Sequence, residues 1–151
     1  MEKVKIIAKN KKAYFLYEII ETFVAGLVLT GSEIKSIRAG KINFVDSYAI
    51  VERGEVIIKG LHIAPYDRGG YANHEPTRDR KLLLSKKEIN KISKKIAEKG
   101  YTFIPLLCFI SEKGYAKLEM GIARGKKSFD KRESIKKKDQ DREQKRNSIL
   151  D

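Results

Sequence analysis

The 151-residue sequence predicts a mainly β fold, a small closed antiparallel β-barrel with a few short helices and a basic C-terminal tail. Three observations predict this fold: runs of β-branched and aromatic residues, two segments that open with helix-capping signals, and a final segment too polar to build a core. We therefore expect a barrel over residues 1–123 and a tail over residues 124–151. The hydrophobic content of 41% is sufficient for one core in a domain of this size.

The predicted elements alternate strands with two helices. In chain order they are a strand at 14–29, a helix at 32–39, a hairpin of strands 47–51 and 56–63, a loop at 64–80, a helix between Ser85 and Gly100, and a hairpin of strands 101–110 and 115–123. Thr30 and Glu33 form a capping box at the start of the first helix. Ser85 and Glu88 do the same for the second. Antiparallel hairpins in a basic chain are typical of the oligonucleotide-binding type of barrel, in which one sheet face and its loops hold nucleic acid.

The net charge of +13 indicates an anionic partner, because 33 Lys and Arg residues outnumber 20 Asp and Glu residues. The tail has eleven basic and six acidic residues and carries +5, which leaves +8 on residues 1–123. Nucleic acid and an anionic membrane surface both fit this charge. The tail has too little apolar surface to offset the entropy of ordering, so we expect it to be disordered when unbound. Such an extension either binds nucleic acid or only keeps the chain soluble.

Enzymatic chemistry has little support in the sequence. His62 and His74 are the only histidines and lack further ligands at zinc-site spacing, and Cys108 lies in an apolar run that favours an inert thiol. We expect no catalytic residue, no metal and no cofactor. The longest apolar run without a polar or proline break, Phe23–Leu29, is far shorter than the roughly 20 residues of a membrane-spanning helix, and no signal-like segment is present. With a single cysteine, these features predict a cytoplasmic protein.

Two basic clusters predict an RNA-binding surface, one around the first helix and one at the end of the long loop. Their members are Lys35, Arg38, Lys41, Arg78, Arg80 and Lys81. Tyrosines near the strands either stack on unpaired bases or pack at the core and rim; they are Tyr14, Tyr17, Tyr48, Tyr66 and Tyr71. The lysines along one side of the second helix form the solvated face opposite its isoleucines.

Four motifs make the chain resemble the SsrA-binding protein (small protein B) family over nearly its whole length. They are Asn10-Lys11-Lys12-Ala13, the segment 25–43 (AGLVLTGSEIKSIRAGKIN), the segment 76–84 (PTRDRKLLL) and the segment 125–132 (GKKSFDKR). The resemblance implies an oligonucleotide-binding-type barrel that holds the tRNA-like part of tmRNA and brings its alanyl form to a ribosome stalled without a codon, in trans-translation. It also implies elongation factor Tu in the delivery complex. We expect a monomer with no membrane partner.

The clusters and the resemblance together assign two groups of site residues. Those for tmRNA are Asn10, Lys11, Lys12, Lys35, Ser36, Arg38, Lys41, Asn43, Arg78, Arg80 and Lys81. Those for the ribosome are Lys126, Lys127, Phe129, Asp130, Lys131, Arg132, Lys136, Lys137 and Lys138. The resemblance implies that the tail enters the empty mRNA channel near the decoding centre and becomes helical there, where we expect Phe129 to stack on a base. On physical grounds alone, a structural or accessory RNA-binding protein of the ribosome is the alternative.

One position departs from the family pattern. Where the family reads Glu-Ala-Gly, this sequence has Val24-Ala25-Gly26. A carboxylate at this point can accept hydrogen bonds from a base amino group or a 2′-hydroxyl, and valine accepts none. We expect the valine to weaken tmRNA binding by the roughly 1–3 kcal/mol of a charge-assisted hydrogen bond. The alternatives are that neighbouring contacts compensate or that the glutamate never touches RNA.

Overall fold

The computed structural model describes residues 5–66 and 73–126. The elements in chain order are β1 (Lys5–Lys9), α1 (Lys11–Leu16), β2 (Tyr17–Leu27), α2 (Gly31–Arg38), β3 (Ile42–Asn43), β4 (Tyr48–Glu52), β5 (Glu55–Lys59), β6 (His62–Ile63), β7 (Arg80–Leu83), α3 (Lys86–Lys99), β8 (Thr102–Ile110) and β9 (Ala116–Gly125). Within these ranges, none of the helices is both long enough and apolar enough to cross a bilayer.

Six antiparallel strands close into a barrel, which confirms the predicted fold class. The ring runs β8, β4, β5, β7, β2 and β9, and β9 returns to pair with β8. Strand β1 adds to β8 outside the ring, and β3 pairs with β6 in a separate two-stranded sheet. Side chains from every strand of the ring fill the interior, and Ile37 of α2 and Ile92 of α3 join the same core. The two longer helices therefore pack on the barrel.

The capping boxes predicted for α2 and α3 are both present. The Thr30 hydroxyl accepts from the Glu33 amide while the Glu33 carboxylate accepts from the Thr30 amide, and Ser85 with Glu88 repeats the arrangement. Gly100 ends α3 in the left-handed conformation, with φ of 66°, as its position in the sequence predicted. On α3, Lys91 and Lys95 form ion pairs with Glu21 of β2, so this lysine stripe has a packing role besides solvation.

Tertiary contacts change two of the predicted elements and add two strands. The predicted strand at 14–29 begins only at Tyr17, because Asn10 caps helix α1 and its backbone amide donates to the Leu106 carbonyl of β8 at 2.7 Å. The predicted strand at 56–63 is broken at Gly60, whose φ is 73° and where a Cβ would lie 2.7 Å from the Asp46 carbonyl oxygen. Strands β1 and β7 were not predicted, and both complete the sheet by pairing with sequence-distant strands.

The barrel extends slightly beyond the predicted boundary at residue 123. Strand β9 includes Arg124 and Gly125, and Arg124 forms an ion pair with Glu18 of β2. The Lys126 amide then donates to the Leu16 carbonyl of α1 at 3.1 Å. The rest of the predicted tail lies outside the described residues.

Candidate nucleic-acid interface

A buried carboxylate with two arginines organises the predicted binding surface; we call Glu33, Arg78 and Arg80 the arginine clasp. Glu33 is fully buried in the first turn of α2. Arg78 donates to both of its carboxylate oxygens, from Nη2 to Oε1 at 2.6 Å and from Nε to Oε2 at 3.1 Å. Arg80 donates from Nε to Oε2. The carboxylate therefore links α2 to the end of the loop that precedes β7.

The clasp keeps the Glu33 carboxylate charged. Burial raises the pKa of Glu33, but hydrogen bonds from Arg78, the Thr30 amide and Arg80, with the Arg80 charge, outweigh burial and lower this pKa from 4.5 to about 2. One carboxylate then faces two guanidinium groups, so the clasp carries a net charge of +1.

Arg80 and Ser36 are buried, which corrects the expectation that their side chains meet RNA directly. Arg80 is 1% exposed, and its remaining donors reach the carbonyl oxygens of Leu61 at 2.7 Å and Pro76 at 3.0 Å. Ser36 is also fully buried, and its hydroxyl has no hydrogen-bond partner among the described residues. Both side chains support the surface from beneath.

Arg78, Lys35, Arg38 and Lys41 have accessible side chains on the α2 side of the barrel. The Arg78 side chain is 33% exposed, and Lys35, Arg38 and Lys41 are exposed. The ammonium group of Lys35 lies 5.4 Å from the ring centroid of Tyr66, a cation–π distance. Arg38 donates to the Gly114 carbonyl of the β8–β9 turn at 3.3 Å. We call these four cations the α2 basic face.

The loop after β6 is tied to this face at both of its described ends. The Asn73 side chain bonds to the amide and carbonyl of Tyr66 at 3.0 and 2.7 Å. His74 contacts the Ser32 hydroxyl of α2 and the Ile63 carbonyl of β6, each at 2.8 Å. These contacts give His74 a structural role. They also fix Tyr66 and Asn73, the described residues on either side of 67–72.

Asn10, Lys11, Lys12 and Asn43 lie together in a different place. They line a groove of about 1050 Å³ between α1, the β3–β4 connection and α3. Asn10 itself is engaged, because its side chain caps α1 and donates to the Pro105 carbonyl at 2.8 Å. Lys11 and Lys12 are exposed, and the exposed Asn43 accepts from the Val45 amide at 2.8 Å. The predicted tmRNA residues therefore divide between the α2 basic face and this groove.

The remaining predicted residues lie apart from these two groups. Lys81, on the outer side of β7, forms an ion pair with Glu55 of β5 at 3.1 Å. Of the residues predicted to bind the ribosome, Lys126 alone lies within the described part of the chain, and the others lie outside it. Cys108 is buried in β8, and burial raises the pKa of its thiol to about 12, in line with the inert role predicted for it.

The sequence analysis missed the roles of two residues at the α2 basic face and of one residue on the outer face of the barrel. Glu33 was recognised only as a helix cap, and Tyr66 only as one of several tyrosines. Leu83 of β7 is 53% exposed and pairs with Gly26 of β2, beside the exposed Val24. Together, Leu83 and Val24 expose apolar surface on the outer face of the barrel, next to Lys81. Their strand alternation could have identified this outward orientation if β7 had been predicted.

The fold and the site define a class: a closed antiparallel barrel with clustered cations and accessible aromatic rings is a nucleic-acid-binding β-barrel protein. A family model described as SmpB protein matches residues 7–149, and the chain belongs to this family. The SsrA-binding protein of Anoxybacillus flavithermus is 55% identical over 139 residues, which cover 92% of this chain and 90% of that protein. The SsrA-binding protein of Bacteroides thetaiotaomicron is 51% identical over 143 residues, which cover 95% of each protein.

A solved structure has the same fold. It is described as "tmRNA-SmpB: a journey to the center of the bacterial ribosome", and one of its chains is similar to this one with a TM-score of 0.72 and 45% sequence identity. The similarity covers 87% of this chain and 95% of that chain.

Proposed function

We propose that this protein binds the tRNA-like domain of tmRNA and delivers alanyl-tmRNA to stalled ribosomes, so that incomplete proteins are tagged by trans-translation. The observation that carries the proposal is the similarity to SsrA-binding proteins, which reaches 55% identity over 92% of the chain. The α2 basic face supports it independently, because exposed cations next to an aromatic ring fit an RNA backbone with unpaired bases.

Two surfaces of the barrel divide the RNA contacts in this proposal. Lys35, Arg38, Lys41 and Arg78 contact phosphates from the α2 basic face, while Lys11 and Lys12 do so from the rim of the groove. Lys81 contributes only when RNA displaces Glu55, since the two are paired at 3.1 Å. Arg80, Ser36 and Asn10 act indirectly, by holding the backbone that presents these cations.

The segment that begins at Lys126 is the ribosome-binding part of the proposal. Its lysines and Arg132 contact ribosomal RNA phosphates along the mRNA channel, and Phe129 stacks on a base of the decoding centre. In this proposal the protein acts as a monomer in the cytoplasm, together with elongation factor Tu, and contributes binding rather than catalysis.

The test compares binding of the full-length protein to the tRNA-like domain of tmRNA and to an elongator tRNA at one near-physiological salt concentration. Nanomolar binding with a clear preference for the tmRNA domain supports the proposal. Equal, weak and steeply salt-dependent binding to both overturns it, because that is the behaviour of a general polyanion binder. Stoichiometric retention on salt-washed ribosomes without tmRNA would favour the alternative, a structural component of the ribosome.

A further inference from the structure

We propose that Glu33 is a positioning residue for RNA binding, because its buried carboxylate fixes Arg78 at the surface and joins helix α2 to the loop that presents Tyr66. This inference rests on the proposed function, since it concerns the surface that holds the tmRNA domain. Glu33 is fully buried and does not touch RNA itself in this proposal; it acts by orienting the cations around it.

Glu33 makes contacts that helix capping does not require. A capping box needs one bond from the carboxylate to the N-cap amide, and Glu33 makes it to Thr30 at 2.8 Å. Glu88 occupies the same position in α3 and makes the same bond, to Ser85 at 3.0 Å, at an exposed site. Among the described residues, two arginines from another part of the chain meet the capping carboxylate at Glu33, and none does so at Glu88. Glu88 therefore serves as an internal control for Glu33, because it makes the capping bond without the contacts to arginine.

The two arginines of the clasp have different tasks. Arg80 is fully buried and bonded to Glu33 and to three backbone carbonyl groups, so its N–H groups are directed into the protein. Arg78 is bound to Glu33 through Nε and Nη2, yet one third of its side chain is exposed. Its Nη1 also donates to the Asp79 carbonyl at 3.2 Å and its Nη2 to the Val28 carbonyl at 3.4 Å. A guanidinium held at all three nitrogens has lost its rotational freedom before RNA arrives, and pre-ordering of this kind improves affinity by lowering the entropic cost of binding.

The same carboxylate connects both sides of the α2 basic face. On one side, α2 carries Lys35, which lies against the ring of Tyr66. On the other side, Glu33 binds Arg78. This arginine follows Asn73 by five residues, and Asn73 is hydrogen-bonded to Tyr66. Removing the charge of Glu33 leaves two guanidinium groups close together without their buried counter-charge, and their repulsion separates α2 from this loop. The expected consequence is loss of the fixed spacing between Lys35 and Arg78.

The test uses two matched variants of the full chain, Glu33→Gln and Glu88→Gln. Glutamine keeps a carbonyl oxygen for the N-cap amide in both helices, while it removes the charge and replaces the second acceptor oxygen with an NH2 donor. Binding to the tRNA-like domain of tmRNA is measured at a temperature where circular dichroism shows every variant to be folded, and over a series of salt concentrations. We expect Glu33→Gln to bind about tenfold more weakly, with a salt slope lower by about 1, the loss of one phosphate contact. Glu88→Gln should bind like the wild type.

A purely stabilising role gives a different result, because a folded Glu33→Gln protein would then bind with the wild-type dissociation constant and salt slope. That outcome overturns the inference. It is distinct from failure of the proposed function, in which the wild type itself does not prefer the tmRNA domain over an elongator tRNA.

Arg78 variants keep the inference testable if Glu33→Gln does not fold, since the pair between Glu33 and Arg80 remains in them. Arg78→Lys retains the charge but cannot form two parallel bonds to the carboxylate. If Glu33 positions Arg78, then Arg78→Lys should lose about as much affinity as Arg78→Gln. If Arg78→Lys binds like the wild type, charge alone is sufficient and the positioning role is wrong.

Discussion

Val24 on β2 lies directly opposite Glu119 on β9, and Val24 is 39% exposed on the outer face of the barrel. The side chain therefore points where a ligand on this face can reach it. A glutamate at position 24 would place a second carboxylate across the strand pair from Glu119. We therefore expect any gain of RNA contact at this position to come with a loss of barrel stability.

We predict that Val24→Glu tightens tmRNA binding by roughly 1–3 kcal/mol, because a carboxylate can accept hydrogen bonds from a base amino group or a ribose hydroxyl. It should also lower the free energy of unfolding by about 0.2–1 kcal/mol through cross-strand repulsion from Glu119. The measurements are dissociation constants at fixed salt and urea unfolding, with Val24→Gln as the uncharged control. An unchanged dissociation constant for Val24→Glu would show that residue 24 does not meet the RNA.

The double variant Lys35→Gln/Arg38→Gln tests the α2 basic face. Each side chain neutralises about one phosphate, so we expect weaker tmRNA binding and a salt slope lower by about 2. The control is Lys87→Gln/Lys94→Gln, which removes the same amount of charge from α3. Both of these lysines are exposed, and neither belongs to the α2 basic face. If both variants change the slope equally, binding follows net charge alone, and α2 is not the RNA face.

The acid stability of the barrel should depend on Glu33. Its pKa falls from 4.5 to about 2 on folding, so its stabilising contribution is complete above about pH 4.5 and is lost as the pH falls towards 2. The pH-dependent part is about 3 kcal/mol, from 1.36 kcal/mol for each pKa unit. The free energies of unfolding of the wild type and Glu33→Gln, measured with urea, should therefore differ by a constant amount between pH 7 and 5. At pH 3 this difference should be smaller, by about half of the pH-dependent part. A difference that stays constant down to pH 2.5 would contradict this assignment.

Local signals in the sequence were sufficient for α2, α3 and the β8–β9 hairpin, because capping boxes and alternation act within a few residues. They were insufficient for α1, a six-residue helix that depends on the bond from Asn10 to Leu106 of β8. The burial of Arg80 could not be predicted either, since its position in a basic cluster is typical of an exposed residue. Only the fold places Glu33 beside it, and the capping pattern around Glu33 gave no sign of this second role.

Deletion of residues 127–151 should separate RNA binding from action on the ribosome. The cut follows Lys126 because Arg124 pairs with Glu18 and the Lys126 amide bonds to Leu16, so an earlier cut would remove part of the barrel. We expect the truncated protein to keep most of its affinity for the tRNA-like domain of tmRNA and to lose tagging on stalled ribosomes. The control is a full-length protein with Phe129→Ala, which should retain tmRNA binding and show reduced tagging, since it lacks only the stacking ring. If truncation instead abolishes tmRNA binding, the basic tail is the main contact with the RNA, and the barrel surfaces described above are secondary to it.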